Sequence, residues 1–294
     1  MGFASLVLLA ANVVYATSYV VTRVVLDDVP PTILALLRLV IGAAVLVPLS
    51  RRVTVPQSRQ TPPGQGARVF WMGALGFAAA FALSHWGIAG SSATNAALLI
   101  VVEPLTLVAL GPLLLGERLT RREVRGAALA VAGAVVVVLN GVPGLTREVL
   151  PRWRGDILLI LSGVAYASYS LLGRTVLTDT NATAITARSI VWGMLVMTPL
   201  AALEWAGGAR PVVTASAVAG TLYLALVITA GAYLVWNWAL ARVEAARAAP
   251  FLTVQPVMGA LLGAVVLGEP VTRFTALGGG LVVLGLWMTV TGRR

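Results

Sequence analysis

The sequence predicts an all-α polytopic membrane protein whose ten transmembrane helices form two inverted five-helix repeats. Three observations carry that expectation. Of the 294 residues, 59% are hydrophobic and only 11% are charged, against about 45–50% and about 25% in soluble domains. Ten mostly apolar runs approach or exceed the length of about 20 residues that a helix needs to cross a bilayer. Landmark residues also recur through the chain at nearly a single spacing.

The runs are Phe3–Val25, Thr32–Leu49, Val69–Ala89, Ala93–Leu115, Val124–Asn140, Asp156–Leu177, Thr183–Leu203, Ala215–Leu240, Ala246–Leu267 and Phe274–Thr291. The first is read as a span and not as a cleavable signal. It lacks a basic start and a small-residue exit, and Asn12, Tyr15, Thr17 and Tyr19 interrupt its apolar core. Only the connections 50–68 and 141–155 are long, and neither could fold as a soluble domain. Cytoplasmic loops accumulate positive charge. With the N-terminus inside, thirteen arginines fall at cytoplasmic ends and six at outer ends, leaving Arg38 and Arg188 within spans. Both termini are therefore expected in the cytoplasm, and the short loops suit a bacterial inner membrane.

The recurrence is an internal duplication. Val102-Glu103-Pro104 aligns with Val254-Gln255-Pro256, Gly116-Glu117 with Gly268-Glu269, Thr120 with Thr272, Gly126 with Gly278 and Gly133 with Gly285, all at an offset of 152. His85 and Asn237 share that offset, as do Trp86 and Trp238. Tyr15 to Arg23 matches Tyr166 to Arg174 at 151, and Arg38 matches Arg188 at 150. The expected units are 1–141 and 156–294, joined by a linker over 142–155. Five spans per unit is odd, so the second unit enters the membrane upside down. That is the architecture of alternating-access carriers, which bind substrate near the midplane between their halves.

Composition excludes other chemistries. The chain has no Cys, a single His and no Lys, all 21 basic residues being Arg. A thiolate nucleophile, a multi-histidine zinc site, a Schiff-base lysine and a P-loop are thereby ruled out. No cofactor is expected. An intramembrane enzyme would need paired aspartates or a serine with a general base inside the spans, and neither can be assembled. The net charge of +10 is spread thinly between apolar runs, which speaks for a lipid bilayer as partner and against nucleic acid.

Several residues stand out as substrate-binding candidates. Glu103 is the only carboxylate deep in a span; placing an acid there costs ~2.5–3.5 kcal/mol or more unless it faces a cavity or a partner. It is a candidate proton carrier or amine ligand, or else a partner for a carbonyl freed by the kink at Pro104. Its counterpart is the neutral Gln255. Arg38 and Arg188, mirrored in the second and seventh spans, are gate contacts or attractors for a substrate carboxylate, or else snorkel to the headgroups. Asn12, Tyr15, Tyr19 and Thr22 share one face of the first span, and Ser162, Tyr166, Ser170 and Gly173 trace the matching face of the sixth. Polar groups avoid lipid, so these faces are expected to wall a central cavity or to glue helices together. His85, Trp192, Tyr233 and Asn237 complete the expected lining, with Trp86, Trp236 and Trp238 divided between it and an interfacial belt. Pro104, Pro250 and Pro256 are candidate hinges. The small residues Gly126, Ala130 and Gly278 to Gly280 mark the fifth and tenth spans as scaffold or homodimer contact. Gly116-Glu117 and Gly268-Glu269 read as structural helix-end turns.

These residues resemble the EamA-type members of the drug/metabolite transporter superfamily. Tyr15-Ala16-Thr17-Ser18-Tyr19, Pro30-Pro31 and Leu37-Arg38-Leu39 look like the opening of an EamA unit. Ala93 to Leu99, Glu103-Pro104 and Gly116-Glu117-Arg118-Leu119-Thr120 look like its close, and Ala245 to Pro256 with Gly268 to Thr272 repeats that close. The resemblance implies ten helices, an inverted repeat, cytoplasmic termini, and export or exchange of small metabolites such as amino acids. The first span departs from the multidrug members by carrying Asn12 and Tyr15 in place of a membrane-embedded glutamate. The expected function is a secondary transporter of small amphipathic metabolites, amino acids foremost, with proton coupling through Glu103 open. Carriage of phosphorylated or nucleotide sugars, or of drugs, is the alternative.

Overall fold

The computed structural model describes residues 3–52, 64–115, 119–140, 152–176, 182–232, 235 and 253–291. The described residues are helical or lie in short connections, with no strand among them. In chain order the α-helices are α1 Phe3–Val25, α2 Pro31–Arg52, α3 Gln65–Gly73, α4 Ala80–Gly90, α5 Ala93–Leu99, α6 Val102–Leu115, α7 Arg121–Leu139, α8 Trp153–Val176, α9 Ala182–Ala206, α10 Ala215–Leu222, α11 Val254–Leu267 and α12 Arg273–Thr291. A π-helical segment, Ala74–Ala79, joins α3 to α4, and a second, Tyr223–Ala232, follows α10.

Among the described residues, seven stretches are long and apolar enough to cross a membrane. The other three expected spans differ for local reasons. The helix α7 opens on Arg121, Arg122, Glu123 and Arg125, which lowers its apolar content. Only 253–267 of the ninth expected span is described, with the apolar helix over Val254–Leu267, and the apolar part of α12 runs over Arg273–Thr289. The sixth span starts at Trp153, inside the expected linker.

Helix starts follow side-chain chemistry. The Ser92 hydroxyl accepts from Asn95 N at 3.0 Å and opens α5. Thr120 and Glu123 form a reciprocal capping box on α7, and Thr214 accepts from Ala217 N at the start of α10. Gly268 ends α11 with φ +65°, the left-handed conformation that glycine adopts without penalty, as its helix-end reading required. Pro104 has no N–H to give the Ile100 carbonyl, which accepts from Glu103 N instead at 3.0 Å. The helix breaks there into α5 and α6, leaving Glu103 in the first turn of α6.

Packing is apolar outside as well as inside. Leu113, Leu203 and Val265 are more than two-thirds exposed, as suits a surface that meets lipid. Inside, Leu39, Leu46, Phe77, Phe81, Ile190 and Met197 knit α2, the α3–α4 stretch and α9 together. A second cluster, including Leu99, Val101, Val137, Leu159 and Val282, joins α5, α7, α8 and α12.

Among the described residues the most extensively packed helix pair is α7 with α12. A Cβ on Gly285 would lie 2.4 Å from Ala130 N, and one on Gly133 would lie 2.6 Å from the Gly278 carbonyl oxygen. Contacts advance along α7 as they retreat along α12, Gly126 meeting Gly285 and Gly133 meeting Gly278, so the two helices run antiparallel. The small residues expected to act as scaffold or dimer contact are in large part consumed within the chain. Antiparallel pairing recurs where Gly87 meets Leu159 and Gly90 meets Gly155, and again where Gly220 meets Val25 and Tyr223 meets Thr17. The second π segment also contains Leu226 to Gly231, the residues 152 positions beyond Ala74–Ala79.

Replacing Gly285 by Ala should lower the thermal unfolding midpoint in detergent, because the helices must part to admit the methyl group, at about 1–3 kcal/mol. The matched change Gly280→Ala meets nothing within 4 Å and should be neutral or mildly stabilising. Equal midpoints for the two variants would refute the close-packed seam.

Candidate functional site

The polar faces read from the sequence do turn inward. Asn12 in α1 is fully buried, its amide nitrogen donating to the Leu8 carbonyl at 2.8 Å. Its side-chain oxygen accepts from Gln255 Nε2 of α11 at 2.8 Å. Tyr19 packs against α11, with its ring carbon 3.1 Å from where a Cβ on Gly259 would stand. From α8, Ser162 donates to the Ala80 carbonyl at 3.0 Å, and Ser170 donates to Glu103 Oε1 at 3.3 Å. Tyr15, Tyr19, Tyr166 and Glu103 lie deep within the bundle yet remain only half-buried. They therefore border an internal space. Tyr15, Tyr19 and Tyr166 are all within electrostatic reach of Glu103.

Arg38 is buried at 7% exposure, so it does not snorkel. Its Nη1 lies 3.0 Å from His85 Nε2, and its Nε and Nη2 donate to the Thr229 hydroxyl at 3.4 and 3.3 Å. The guanidinium sits 4.4 Å from the centre of the Phe81 ring, near enough for cation–π attraction. The other imidazole nitrogen, His85 Nδ1, is 2.9 Å from the Pro31 carbonyl oxygen. A carbonyl only accepts and a guanidinium only donates. His85 is therefore neutral, with its proton on Nδ1, and Nε2 receives Arg38.

The π geometry places Thr229. Its hydroxyl donates to the Leu224 carbonyl five residues back, at 2.9 Å, while its oxygen faces Arg38. The sequence reading missed Thr229. The available signal was a break in the repeat, because the residue 152 positions earlier is Phe77.

A row of groups links the two charges. Phe81 carries Arg38 on its face and lies 6.0 Å, ring centre to ring centre, from Tyr166. Tyr166 is within electrostatic reach of both Arg38 and Glu103. A guanidinium and a carboxylate thus flank a wall of aromatic rings and hydroxyl tips, an arrangement that matches a small molecule with an apolar body and charged ends.

Other expected site residues fall elsewhere. Arg188 is exposed, so the mirrored arginine pair is not equivalent. Trp192 is 41% exposed and stacks edge-to-face on Phe70 at 5.3 Å, at the seam of α3 and α9 and apart from the polar cluster. Trp86 is 37% exposed. Tyr233, Trp236, Asn237, Trp238 and Pro250 lie outside the described residues.

If Thr229 orients Arg38, Thr229→Val should destabilise the protein by about 1–3 kcal/mol through the lost acceptor, while Thr229→Ser should keep most of the stability. Thermal unfolding in detergent separates the two, and equal behaviour of both variants would dismiss the contact.

The chain also resembles known proteins along its length. The EamA-like transporter family pattern matches twice, over residues 2–139 and 153–291. A probable terminal-alkyne amino-acid exporter of Streptantibioticus cattleyicolor is 28% identical, covering 96% of this chain and 92% of its own length. A probable amino-acid metabolite efflux pump of Escherichia coli is 27% identical, covering 96% and 93%. A crystal structure 23% identical superposes with a TM-score of 0.64 over 97% of this chain and 95% of that one, so the two share a fold. With family matches over both halves and apolar helices able to cross a bilayer, this chain is a multi-pass membrane protein and belongs to the EamA-like transporter family.

Proposed function

We propose that the protein is a secondary carrier that exports or exchanges small amphipathic metabolites, amino acids foremost, by alternating access. The observation that carries this reading is the pairing of Arg38 and Glu103 across the tyrosine-lined space. A free amino acid presents a carboxylate to the guanidinium and an ammonium group to the carboxylate, with its side chain against Tyr15, Tyr19 and Tyr166. The names of the two bacterial relatives, an amino-acid exporter and an amino-acid metabolite efflux pump, point the same way.

The carrier is built of ten spans in two inverted five-helix units, 1–141 and 156–294, joined by the linker 142–155. Three findings support this. Gly126 and Gly133 meet Gly285 and Gly278, which are each other's counterparts at the offset of 152, as a twofold axis in the membrane plane requires. The π segments stand at matching positions. The family pattern fits each half separately. The arginine bias supports cytoplasmic termini, as in a bacterial inner-membrane protein.

Rocking of one unit against the other then exposes the site to each side in turn. Glu103 serves as the coupling group, holding either a proton or the substrate ammonium, so that substrate leaves as a proton arrives. Among the described residues its hydrogen-bond partner is Ser170 alone, a contact weak enough to be exchanged.

Purified protein in proteoliposomes should take up a subset of radiolabelled amino acids saturably, and faster under an imposed pH gradient. Glu103→Gln should fold normally but lose the response to the gradient. Arg38→Gln should raise KM for amino acids about tenfold or more, the effect of losing a hydrogen bond to a charged group, while sparing the corresponding decarboxylated amines. Gradient-driven uptake that survives in Glu103→Gln would remove the coupling role. No amino-acid uptake by the unaltered protein would remove the substrate class.

A further inference from the structure

Four carboxylates outside the binding site share one arrangement. Glu204, at the end of α9, accepts from Thr32 N at 2.8 Å, from Ile33 N at 3.3 Å and from the Thr32 hydroxyl, all in the first turn of α2. Glu269, after α11, takes Ala93 N on one oxygen and Thr94 N on the other, both at 2.8 Å, at the start of α5. Asp156, in the first turn of α8, accepts from the Ser91 hydroxyl at 2.5 Å and from Asn95 Nδ2 at 3.0 Å, beside the same helix start. Asp28, after α1, accepts from the Thr214 hydroxyl at 2.5 Å, where Thr214 caps α10; its carbonyl oxygen accepts from Val212 N at 2.8 Å. Every one of these contacts joins a residue of the first family-matched segment to one of the second.

All four lie at the same end of the bundle. His85 ties the end of α4 to Pro31 at the start of α2, Gly90 abuts Gly155, and Thr272 donates to Asn140 Oδ1 at 3.0 Å. These contacts gather the ends of α1, α4, α7, α9 and α11 with the starts of α2, α5, α8, α10 and α12. This is the end away from the N-terminus, and the arginine bias reads it as the outer one.

We propose that this collar of carboxylates on helix starts and their cap residues is the outer gate of the carrier in its closed state, with Glu204 and Glu269 as its principal latches. Two physical features suit it to opening and closing. Helix N-terminal N–H groups and carboxylates attract each other strongly when dry, but water satisfies both when they part, so closed and open forms lie near balance. The closed form also holds polar atoms it does not satisfy. Asp156 Oδ2 and Thr94 Oγ1 are buried with no hydrogen-bond partner among the described residues, which opposes closure. The α7–α12 seam has the opposite character. Its backbones touch through glycines, so parting them would leave an apolar gap that water does not fill well, and it stays closed while the collar works.

The gate rests on the alternating-access reading, but it can be tested without knowing the substrate. The chain has no Cys, so Ser170→Cys introduces a single reporter beside Glu103. Labelling of that position by a membrane-impermeant maleimide is followed in intact cells and in inverted vesicles. Adding Glu269→Gln or Glu204→Gln should speed labelling in intact cells about fivefold or more, the population shift that loss of one helix cap produces. Asp27→Asn, which removes a carboxylate at the same end whose ion pair among the described residues is with Arg23, four positions earlier, at 2.7 Å, should leave the rate unchanged. Both latch variants should remain monodisperse in detergent. Unchanged labelling in folded latch variants, or equal acceleration by Asp27→Asn, would overturn the gate. Acceleration confined to inverted vesicles would keep a gate at this end but overturn its assignment to the outer face. If labelling responds as expected while the protein takes up no amino acid, the gate stands and only the substrate class falls.

Discussion

Every polar group that this chain carries into the bilayer must be satisfied inside the bundle, because lipid offers no hydrogen bonds. That constraint organises the structure. It turns Asn12 onto Leu8 and Gln255, seats Ser162 on the Ala80 carbonyl, and brings Arg38 against Thr229 and His85. It also explains the exposed leucines and valines, which can face outward because the outside is apolar too. A polar residue in such a chain marks either a helix contact or a wall of the internal space. Glu103, deep in the bundle and still accessible, belongs to the wall.

The same constraint shows how two halves that match one family pattern differ around the candidate site. Position 229 is Thr where its counterpart 77 is Phe. Thr229 supplies an acceptor and Arg38 is buried; Phe77 supplies none and Arg188 stays exposed. Asn12 likewise holds Gln255, whereas its counterpart Gly163 has no side chain to offer Glu103. Each difference removes a partner from one copy. The outcome is one buried cation and one accessible carboxylate on an aromatic path, in place of two equivalent half-sites. The second π segment serves this arrangement by setting the Thr229 hydroxyl between the Leu224 carbonyl and Arg38, and such segments are frequent at functional sites.

The helix ends divide into two kinds. Some are closed by their own neighbours in sequence, as with Ser92 on α5 and the Thr120–Glu123 box on α7. Others are closed by a carboxylate from the opposite half of the chain, as with Glu269 on α5 and Glu204 on α2. Local caps define where a helix starts. Caps from the other half also define how the halves sit against each other, and these are the contacts that the proposed gate would break.

Apolar run lengths and the recurrence of motifs were enough to read the membrane character, the first span to its end residues, and the inward faces of α1 and α8. Those signals are local and periodic, so a linear reading recovers them. The glycines of α7 and α12 could be recognised as contact residues, but not that they contact each other. Glu269 could be read as a helix-end residue, but not that its carboxylate crosses to α5. Arg38 and Arg188 look alike in sequence, and only packing separates them, because burial of a guanidinium depends on acceptors brought in from helices nearly 200 residues away. Thr229 is one hydroxyl among many until a π turn aims it. The sequence alone determined that the chain is a multi-pass membrane protein and which faces of α1 and α8 are polar, since both follow from the chemistry of neighbouring residues. The tertiary structure decided which of those polar groups meet, and therefore where the site and the collar lie, because partners far apart in the chain are chosen by three-dimensional packing.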